Sequence, residues 1–303
     1  MGHRDVGILH PGAMGARVAA QAVAAGAVVR WLPQGRSAAS RDRAAACGLR
    51  SAASIRELAE TCEVVLSVCP PAAALDVAGQ VAAAGFRGVY VDANAVSPER
   101  MAEITGVFED DAVTVVDGGI TGPPPREAGR TRLYLSGDDI AVARVSALFD
   151  GTALTPVTLA GPVGRASALK LAFAAYNKIS YALAAQACAL ADGHGVLDDL
   201  LDLAEQMLPD TPLAGTAHLA AAGQRAWRWA PEMREIARAC QAAGVSSGFA
   251  EAAAETFARW DAHKDDPAVT GEQLIADLVQ GTPSSTSGGR RGLPSRRAAT
   301  RCP

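Results

Sequence analysis

Short apolar blocks alternate with helix-forming blocks along the first half of the chain. Residues 5–9 are an apolar run, a Gly/Pro-containing turn follows at 10–15, and residues 16–25 favour a helix that ends at a glycine. Residues 28–32 form a second apolar run, so these segments predict one strand–helix–strand unit of about 30 residues. The alternation then repeats. Strands that alternate with helices pair in parallel through right-handed crossovers, so the pattern predicts a doubly wound, mainly parallel α/β sheet of the Rossmann type.

The remaining elements of this half follow the same rules. Apolar runs predict further strands at 64–68, 89–92, 113–117, 131–136 and 155–159. Helices are predicted at 38–46, at 54–61, after Pro70-Pro71, and after Ser97, where a capping serine precedes a proline at the first helical position.

The pattern changes after Gly164. Residues 165–192 form one long helical segment that contains neither glycine nor proline, and the chain to about residue 280 favours helices joined by short breaks. We therefore predict a Rossmann-like domain at 1–163 and an all-α domain at 164–280. Residues 281–303 are rich in Gly, Ser and Arg and are predicted to be a disordered basic tail.

Composition excludes several classes of protein. Hydrophobic residues make up 49% of the chain and the net charge is −4, which argues for a well-formed core and against a nucleic-acid partner. No apolar run is long enough to span a membrane, and no signal peptide is evident. The six cysteines form no C-x-x-C and no metal-ligand spacing. We therefore expect reduced thiols, no metal and a cytoplasmic location.

The first turn of the chain carries the chemistry of a dinucleotide site. Gly12 and Gly15 fit the second and third glycines of G-x-G-x-x-G, which allow close approach of a pyrophosphate and tight packing of the helix on the strand. The helix N-terminus would offer free N–H groups to the phosphates. His10 takes the first glycine position, and its place before Pro11 predicts an extended backbone. The candidate cofactor-binding residues here are His10, Pro11, Gly12, Ala13, Met14 and Gly15. The alternative is a tight turn without a ligand.

The end of the second predicted strand distinguishes NADP from NAD. NAD sites place a carboxylate there for the ribose hydroxyls, but residues 31–37 contain neither Asp nor Glu. Arg36 and Ser37 instead offer a guanidinium and a hydroxyl to a 2′-phosphate. The sequence therefore predicts NADP, with NAD the less favoured cofactor. The alternative for Arg36 is a solvated loop position.

Five short motifs follow one another in order over residues 5–180. They are Gly12-Ala13-Met14-Gly15, Ser67-Val68-Cys69-Pro70-Pro71, Asp92-Ala93-Asn94-Ala95-Val96-Ser97-Pro98, Asp117-Gly118-Gly119-Ile120-Thr121-Gly122-Pro123, and Gly161-Pro162-Val163-Gly164 with Lys170 behind it. In type and order they resemble the β-hydroxyacid dehydrogenase superfamily, which includes 3-hydroxyisobutyrate dehydrogenase, 6-phosphogluconate dehydrogenase and the imine reductases. Residues 225–233 resemble the poorly characterised helical C-terminal domain of a 6-phosphogluconate-dehydrogenase-like subgroup.

The resemblance implies roles for individual residues. It places Cys69, Pro70 and Asn94 along the cofactor, and it assigns Thr121 and Gly122 to the substrate, whose carboxylate would meet a hydroxyl and a backbone N–H. It also implies that Lys170 lies between nicotinamide and substrate, as general base in oxidation and proton donor in reduction.

Two positions depart from the family pattern. Ala174 stands where the family often has a substrate-binding asparagine, and Asn177 stands where sugar-phosphate members have a glutamate. Helical spacing puts Asn177 and Lys178 on the face of Lys170, so Asn177 is a second candidate catalytic residue. Lys178 is either a substrate-binding or a solvated lysine. Glu232 either lines the site or belongs to a tryptophan-rich segment that packs in a core or a dimer contact.

Together these observations predict an NADP-dependent oxidoreductase. It would transfer hydride between nicotinamide and a small, polar, carboxylate-bearing hydroxy or keto substrate, while a lysine moves the proton. One alternative is an imine reductase or reductive aminase, and another is a non-catalytic dinucleotide-binding protein. We expect a homodimer formed through the helical domain.

Overall fold

The computed structural model of the chain describes residues 5–108 and 112–279. Its strands form one sheet in the order β3-β2-β1-β4-β5-β6-β7-β8. The strands are β1 (Asp5–Leu9), β2 (Val28–Trp31), β3 (Arg50–Ser51), β4 (Val64–Ser67), β5 (Gly88–Asp92), β6 (Val113–Thr121), β7 (Thr131–Gly137) and β8 (Leu154–Thr158). Neighbouring strands are parallel except β6 and β7, which are antiparallel.

Helices are interleaved with the strands of the sheet, and the chain after the last strand is helical. Those interleaved with the strands are α1 (Ala13–Ala24), α2 (Ala38–Ala46), α3 (Ile55–Thr61), α4 (Ala74–Ala83), α5 (Pro98–Gly106) and α6 (Asp139–Ser146), with a short 3₁₀ turn at Pro71–Ala73. After the sheet come α7 (Arg165–Gly193), α8 (Leu197–Met207), α9 (Thr216–Gly223), α10 (Ala226–Ala242), α11 (Gly248–Arg259) and α12 (Gly271–Val279). The predicted fold class, a mainly parallel sheet followed by an all-helical region, is confirmed.

Two differences from the predicted elements have simple causes. Strand β3 was not predicted, because it consists of two residues that are both exposed and so shows no apolar period. Strand β6 runs four residues beyond the predicted Asp117, because its extension pairs antiparallel with β7 and aligns Ile120 with Leu133. The serine cap of α5 is confirmed, since the Ser97 hydroxyl accepts a hydrogen bond from the Arg100 N–H at 3.2 Å.

The two halves of the chain have separate apolar cores. The sheet is buried on both faces, as the fully buried β4 shows, and the two faces belong to different clusters of apolar side chains. The helical core includes Trp229, Met233, Phe257 and Trp260. Trp229 therefore takes the core role considered for the tryptophan-rich segment. Within the described ranges, no helix combines the length and the apolar character that crossing a membrane requires.

Helix α7 is the link between the halves, since it contacts both β6 and the helices α8 to α12. It begins at Arg165, close to the boundary predicted at 163/164, although that division into domains stays a prediction. The predicted disordered tail lies outside the described residues.

Candidate active site

The turn between β1 and α1 leaves the start of the helix open. Gly12 is the N-cap of α1, and no side-chain hydrogen bond caps this helix among the described residues. A Cβ on Gly15 would lie 2.7 Å from the carbonyl oxygen of His10, so the close approach of helix and strand requires glycine. The first amides of α1 and the positive end of its dipole therefore face the carboxyl edge of the sheet, where they suit an anion.

His10 has a backbone φ of 65°, in the left-handed region. The extended conformation expected from the following proline is therefore wrong. The Gly12 N–H donates a hydrogen bond of 2.7 Å to the His10 carbonyl, and Gly15 packs against the same oxygen. Because both contacts require this carbonyl to point into the turn, the turn overrides the local preference of a residue before proline. His10 thus adopts the conformation that glycine would take most readily at this position.

The imidazole of His10 contacts the loop that follows β2. Its Nε2 lies 2.5 Å from the Arg36 guanidinium, and Nδ1 has no hydrogen-bond partner within the described ranges. Burial and the neighbouring Arg36 lower the pKa of His10 to about 4, so the ring is neutral at neutral pH. Since arginine can only donate, Nε2 is the acceptor and the proton resides on Nδ1.

Arg36 and Ser37 have different surroundings. The half-buried Arg36 side chain crosses from the end of β2 to the turn after β1, which brings two sequence-predicted cofactor residues together. The exposed Ser37 caps α2, since its hydroxyl accepts a hydrogen bond from the Ser40 N–H at 3.3 Å. Ser37 therefore stabilises the helix that follows the proposed 2′-phosphate position.

Asn94 joins the loops after β4 and β5. Its side-chain oxygen accepts a hydrogen bond from the Cys69 N–H at 2.5 Å, and its amide donates to Ser67 at 3.1 Å and to Asp92 at 2.8 Å. These contacts use both amide hydrogens, so the buried Asn94 holds the two loops together at the carboxyl edge of the sheet. Pro70 is exposed beside them. Burial raises the pKa of the Cys69 thiol to about 12, which leaves it protonated and unsuited to nucleophilic chemistry.

The predicted substrate loop follows the end of β6. Thr121 is half-buried, and Gly122 has a φ of 105° with so little room that a Cβ would lie 2.2 Å from the Arg130 carbonyl oxygen. The Thr131 hydroxyl donates a hydrogen bond of 2.6 Å to the Pro123 carbonyl. The start of this loop is therefore tied to β7, which fixes Thr121 and Gly122 at the carboxyl edge of the sheet.

Asp117, to which the sequence analysis gave no role, anchors the start of α7. One carboxylate oxygen accepts hydrogen bonds from the N–H groups of Gly164 and Ser167, both at 2.9 Å, and from the Ser136 hydroxyl at 3.1 Å. The other accepts from the Ser167 hydroxyl at 2.6 Å. Asp117 is completely buried, so this contact joins the sheet to the helix that carries Lys170. The feature of the sequence that could have identified Asp117 is its position as a carboxylate at the end of a buried strand.

Lys170 lies where α7 passes β6. A Cβ on Gly119 would come within 2.8 Å of the Ala166 carbonyl and 3.2 Å of the Lys170 Cβ, so this glycine allows helix and strand to meet. Burial lowers the pKa of the Lys170 amine below its ordinary value of 10.5, while Glu232 opposes the shift and Lys178 adds to it. A lowered pKa makes this amine easier to deprotonate than a solvated lysine, as a general acid–base group requires.

Lys178 and Glu232 form an ion pair between α7 and α10. Both side chains are largely buried, at 15% and 10% exposure, and the Lys178 amine lies 5.5 Å from the centre of the Trp229 ring. The pair places two predicted substrate residues together and balances their charges. One turn further along α10, Glu235 accepts a hydrogen bond from the Ser97 N–H at 3.2 Å, which ties α10 to the loop that contains Asn94.

Asn177 has a different environment from the other predicted residues of α7. Its side chain is exposed, whereas Ala174 is buried and Lys178 is half-buried. The Asn177 carbonyl accepts a hydrogen bond from the Ser180 hydroxyl at 2.7 Å. Asn177 thus lies at the edge of the face that carries Lys170, on the side open to solvent.

The open helix start, the loops after β4 and β5, and Lys170 all meet at the carboxyl edge of one sheet. The strand order reverses between β1 and β4, which is where doubly wound α/β proteins bind their ligands. The fold and site therefore define a dinucleotide-binding α/β protein whose second, helical part contacts the loops at this edge.

Residues 5–161 match the model of the NAD binding domain of 6-phosphogluconate dehydrogenase, and residues 191–260 match a domain of unknown function. The chain belongs to this 6-phosphogluconate dehydrogenase NAD-binding family. The resemblance to the hydroxyacid dehydrogenases is thereby confirmed.

Individual proteins resemble the chain in sequence or in fold. The chain is 28% identical over 179 residues to an uncharacterised 28.5 kDa protein of Methanothermus fervidus, which covers 59% of this chain and 67% of the relative. The fold of this chain is similar to that of 3-hydroxyisobutyrate dehydrogenase of Mycobacterium tuberculosis. The TM-score is 0.71 at 20% identity, and the match covers 91% of this chain and 99% of the other. A reductive aminase from Aspergillus terreus in complex with NADPH has a TM-score of 0.54 at 18% identity, covering 92% and 99% of the two chains.

Proposed function

We propose that the chain is an NADP-dependent dehydrogenase or reductase acting on a small, polar, carboxylate-bearing hydroxy or keto substrate. The observation that carries this proposal is the half-buried Lys170 amine at the same sheet edge as the open N-terminus of α1. A group that can exchange a proton and a cradle suited to a pyrophosphate thus border one cleft. Hydride transfer to a carbonyl needs both a reduced cofactor and a proton donor.

The residues present fit a phosphorylated dinucleotide. The uncapped start of α1 and the glycines at 12 and 15 suit the pyrophosphate, and Arg36 suits a 2′-phosphate. The bound cofactor would supply or accept the hydride. The backbones of the loops at Cys69 and Asn94 would border its nicotinamide end, where the Asn94 hydrogen bonds keep them rigid.

The substrate would bind between β6 and α10. Thr121 offers a hydroxyl and Gly122 a backbone N–H to a carboxylate. The charge of Lys178 is balanced by Glu232, so Lys170 is the cation of this group without a direct ion-pair partner in the described chain. A monoanionic substrate matches that charge, and Lys170 would give its proton to the carbonyl oxygen or take one from the hydroxyl.

Reduction of a C=N bond is the second candidate. The likeness to a reductive aminase favours it, and so does the lowered pKa of Lys170. Burial disfavours the charged form of this amine, which lessens its repulsion of a cationic iminium group. The two candidates share the cofactor and differ in the electrophile.

Turnover with a panel of small keto and hydroxy acids tests the proposal. We expect a keto acid alone to oxidise NADPH, and Arg36→Ala to weaken NADPH binding about tenfold or more while NADH binding stays unchanged. Arg41→Ala, an exposed arginine on α2, is the matched control. Turnover that requires an added amine would favour the second candidate. A folded, NADPH-binding chain that turns over no acid on the panel, with or without an amine, would overturn both.

A homodimer formed through α7 is part of the proposal. The exposed face of α7 repeats large apolar side chains at coiled-coil spacing, at Leu169, Phe173, Tyr176, Leu183 and Leu190. These side chains expose on the order of 600 Å², close to the roughly 800 Å² per partner of a standard interface. Antiparallel pairing about a point between Ile179 and Ser180 brings Tyr176 against Leu183 of a second copy, so the face complements itself.

Leu183→Glu should convert the dimer to a monomer, because it would bury a carboxylate without a partner at this seam. The measurement is molar mass by light scattering during gel filtration. Ile140→Glu on α6, where the side chain is 81% exposed, is the matched control and should leave the dimer intact. A wild-type chain that is monomeric at micromolar concentration would contradict the assignment.

A further inference from the structure

We infer that His10 is a specificity-determining positioning residue, whose imidazole holds the Arg36 guanidinium in place to bind the 2′-phosphate of the cofactor. This inference rests on the proposed use of NADP. It adds a role for the residue that replaces the first glycine of the dinucleotide fingerprint, where a side chain is ordinarily absent.

The geometry of the turn gives His10 this reach. Its φ of 65° is unfavourable for a residue with a Cβ, and a glycine would adopt the same turn without that cost. The conformation directs the imidazole to the end of β2, where Nε2 meets Arg36 at 2.5 Å. The unfavourable backbone conformation of His10 therefore accompanies a side-chain contact with Arg36 that glycine could not make.

The contact restrains a side chain that is otherwise flexible. Arginine loses considerable rotamer freedom when it is ordered, so a guanidinium held before the ligand arrives binds at a lower entropic cost. The Arg36 Nε has no hydrogen-bond partner within the described ranges, and it is buried. The guanidinium thus retains donor capacity while one of its nitrogens is fixed by His10.

The neutral state of the ring suits this role. Burial and Arg36 lower the pKa of His10 to about 4, so Nε2 remains an acceptor at every pH at which the protein would normally be assayed. Among the described residues, Arg36 is the charged group whose field acts on this ring. Protonation would replace the hydrogen bond by repulsion between two cations.

Binding of two nucleotide fragments isolates the 2′-phosphate from the rest of the cofactor. Adenosine 2′,5′-bisphosphate and adenosine 5′-monophosphate are titrated into the wild type, His10→Gly, His10→Asn, Arg36→Ala and the His10→Gly/Arg36→Ala double variant, with affinity measured by calorimetry. We expect His10→Gly to lower the affinity ratio of the two fragments about tenfold, with little change for the monophosphate. His10→Gly removes the strained Cβ, so a loss of folding is not expected, and His10→Asn provides a second variant that tolerates the left-handed backbone.

The double variant tests whether the two residues act together. Its ratio should equal that of Arg36→Ala alone, because His10 acts only through Arg36. An unchanged ratio in both His10 variants, with a reduced ratio in Arg36→Ala, would overturn the inference and leave the cofactor proposal standing. A wild type that does not prefer the bisphosphate would overturn the NADP assignment, and the inference with it. Equal losses for both fragments would overturn it too, since they would indicate a general effect on the turn.

Discussion

Lys170→Met should lower kcat by about two to four orders of magnitude, the usual range for loss of a general acid–base group. The amine lies where α7 meets β6, beside the Lys178–Glu232 pair, and methionine fills a similar volume without a transferable proton. Fluorescence titration should show unchanged NADPH affinity, because the proposed phosphate site is formed by the start of α1 and not by this amine. Steady-state rates with the best substrate of the panel provide the measurement.

Lys264→Met is the matched control for this experiment. Lys264 is exposed and lies over the ring of Trp227 at 4.1 Å, so it carries the same substitution outside the cleft. Its kcat should equal that of the wild type. A Lys170→Met enzyme with more than about a tenth of wild-type kcat would rule out the proton-transfer role.

The same residue predicts how rate and stability depend on pH. Burial lowers the pKa of Lys170, so carbonyl reduction, which needs the protonated amine, should decline as pH rises through that lowered pKa. Alcohol oxidation should rise over the same interval. The folded state disfavours the charged amine, so this group lowers stability progressively as pH falls from its ordinary pKa of 10.5 towards the folded value. At neutral pH Lys170→Met should therefore be less active and more stable than the wild type.

The sequence predicted the fold well because its strong periods are local. Residues 165–192 contain no helix breaker, and α7 indeed runs from Arg165 to Gly193. The pair Gly12 and Gly15 marked the first turn, and Gly15 has a clear steric reason, since a Cβ there would lie 2.7 Å from the His10 carbonyl oxygen. By contrast, the backbone of His10 could not be predicted from Pro11 alone, since contacts with Gly12 and Gly15 determine it.

The site was harder to predict because its contacts join distant segments. Lys178 and Glu232 were chosen separately as substrate residues, and only the packing of α7 on α10 reveals that they neutralise each other. Helical spacing placed Asn177 near Lys170, but it did not reveal that the side chain is exposed at the edge of that face. Asp117 was visible as the first residue of a motif, whereas its partners at 164 and 167 lie on another element.

Asp117→Ala should have the largest effect on stability among the substitutions considered. It would leave the N–H groups of Gly164 and Ser167 buried without their acceptor, at a cost of about 1–3 kcal/mol each, or about 2–6 kcal/mol together. Urea unfolding followed by circular dichroism measures this change. Because the start of α7 would also lose its attachment to β6, kcat should fall although Asp117 touches no substrate.

Asp138→Ala supplies a matched control, since Asp138 caps α6 through one hydrogen bond of 2.9 Å to the Ala141 N–H and is exposed. It should cost about 1 kcal/mol and leave kcat unchanged. The pH profile separates a positioning role from simple destabilisation. The negative charge of Asp117 raises the pKa of Lys170. Its removal should therefore move the alkaline limb of the rate of carbonyl reduction to lower pH. If Asp117→Ala matched the control in stability, or lost stability while retaining wild-type kcat and the same limb, the carboxylate would not be what positions Lys170 against the sheet.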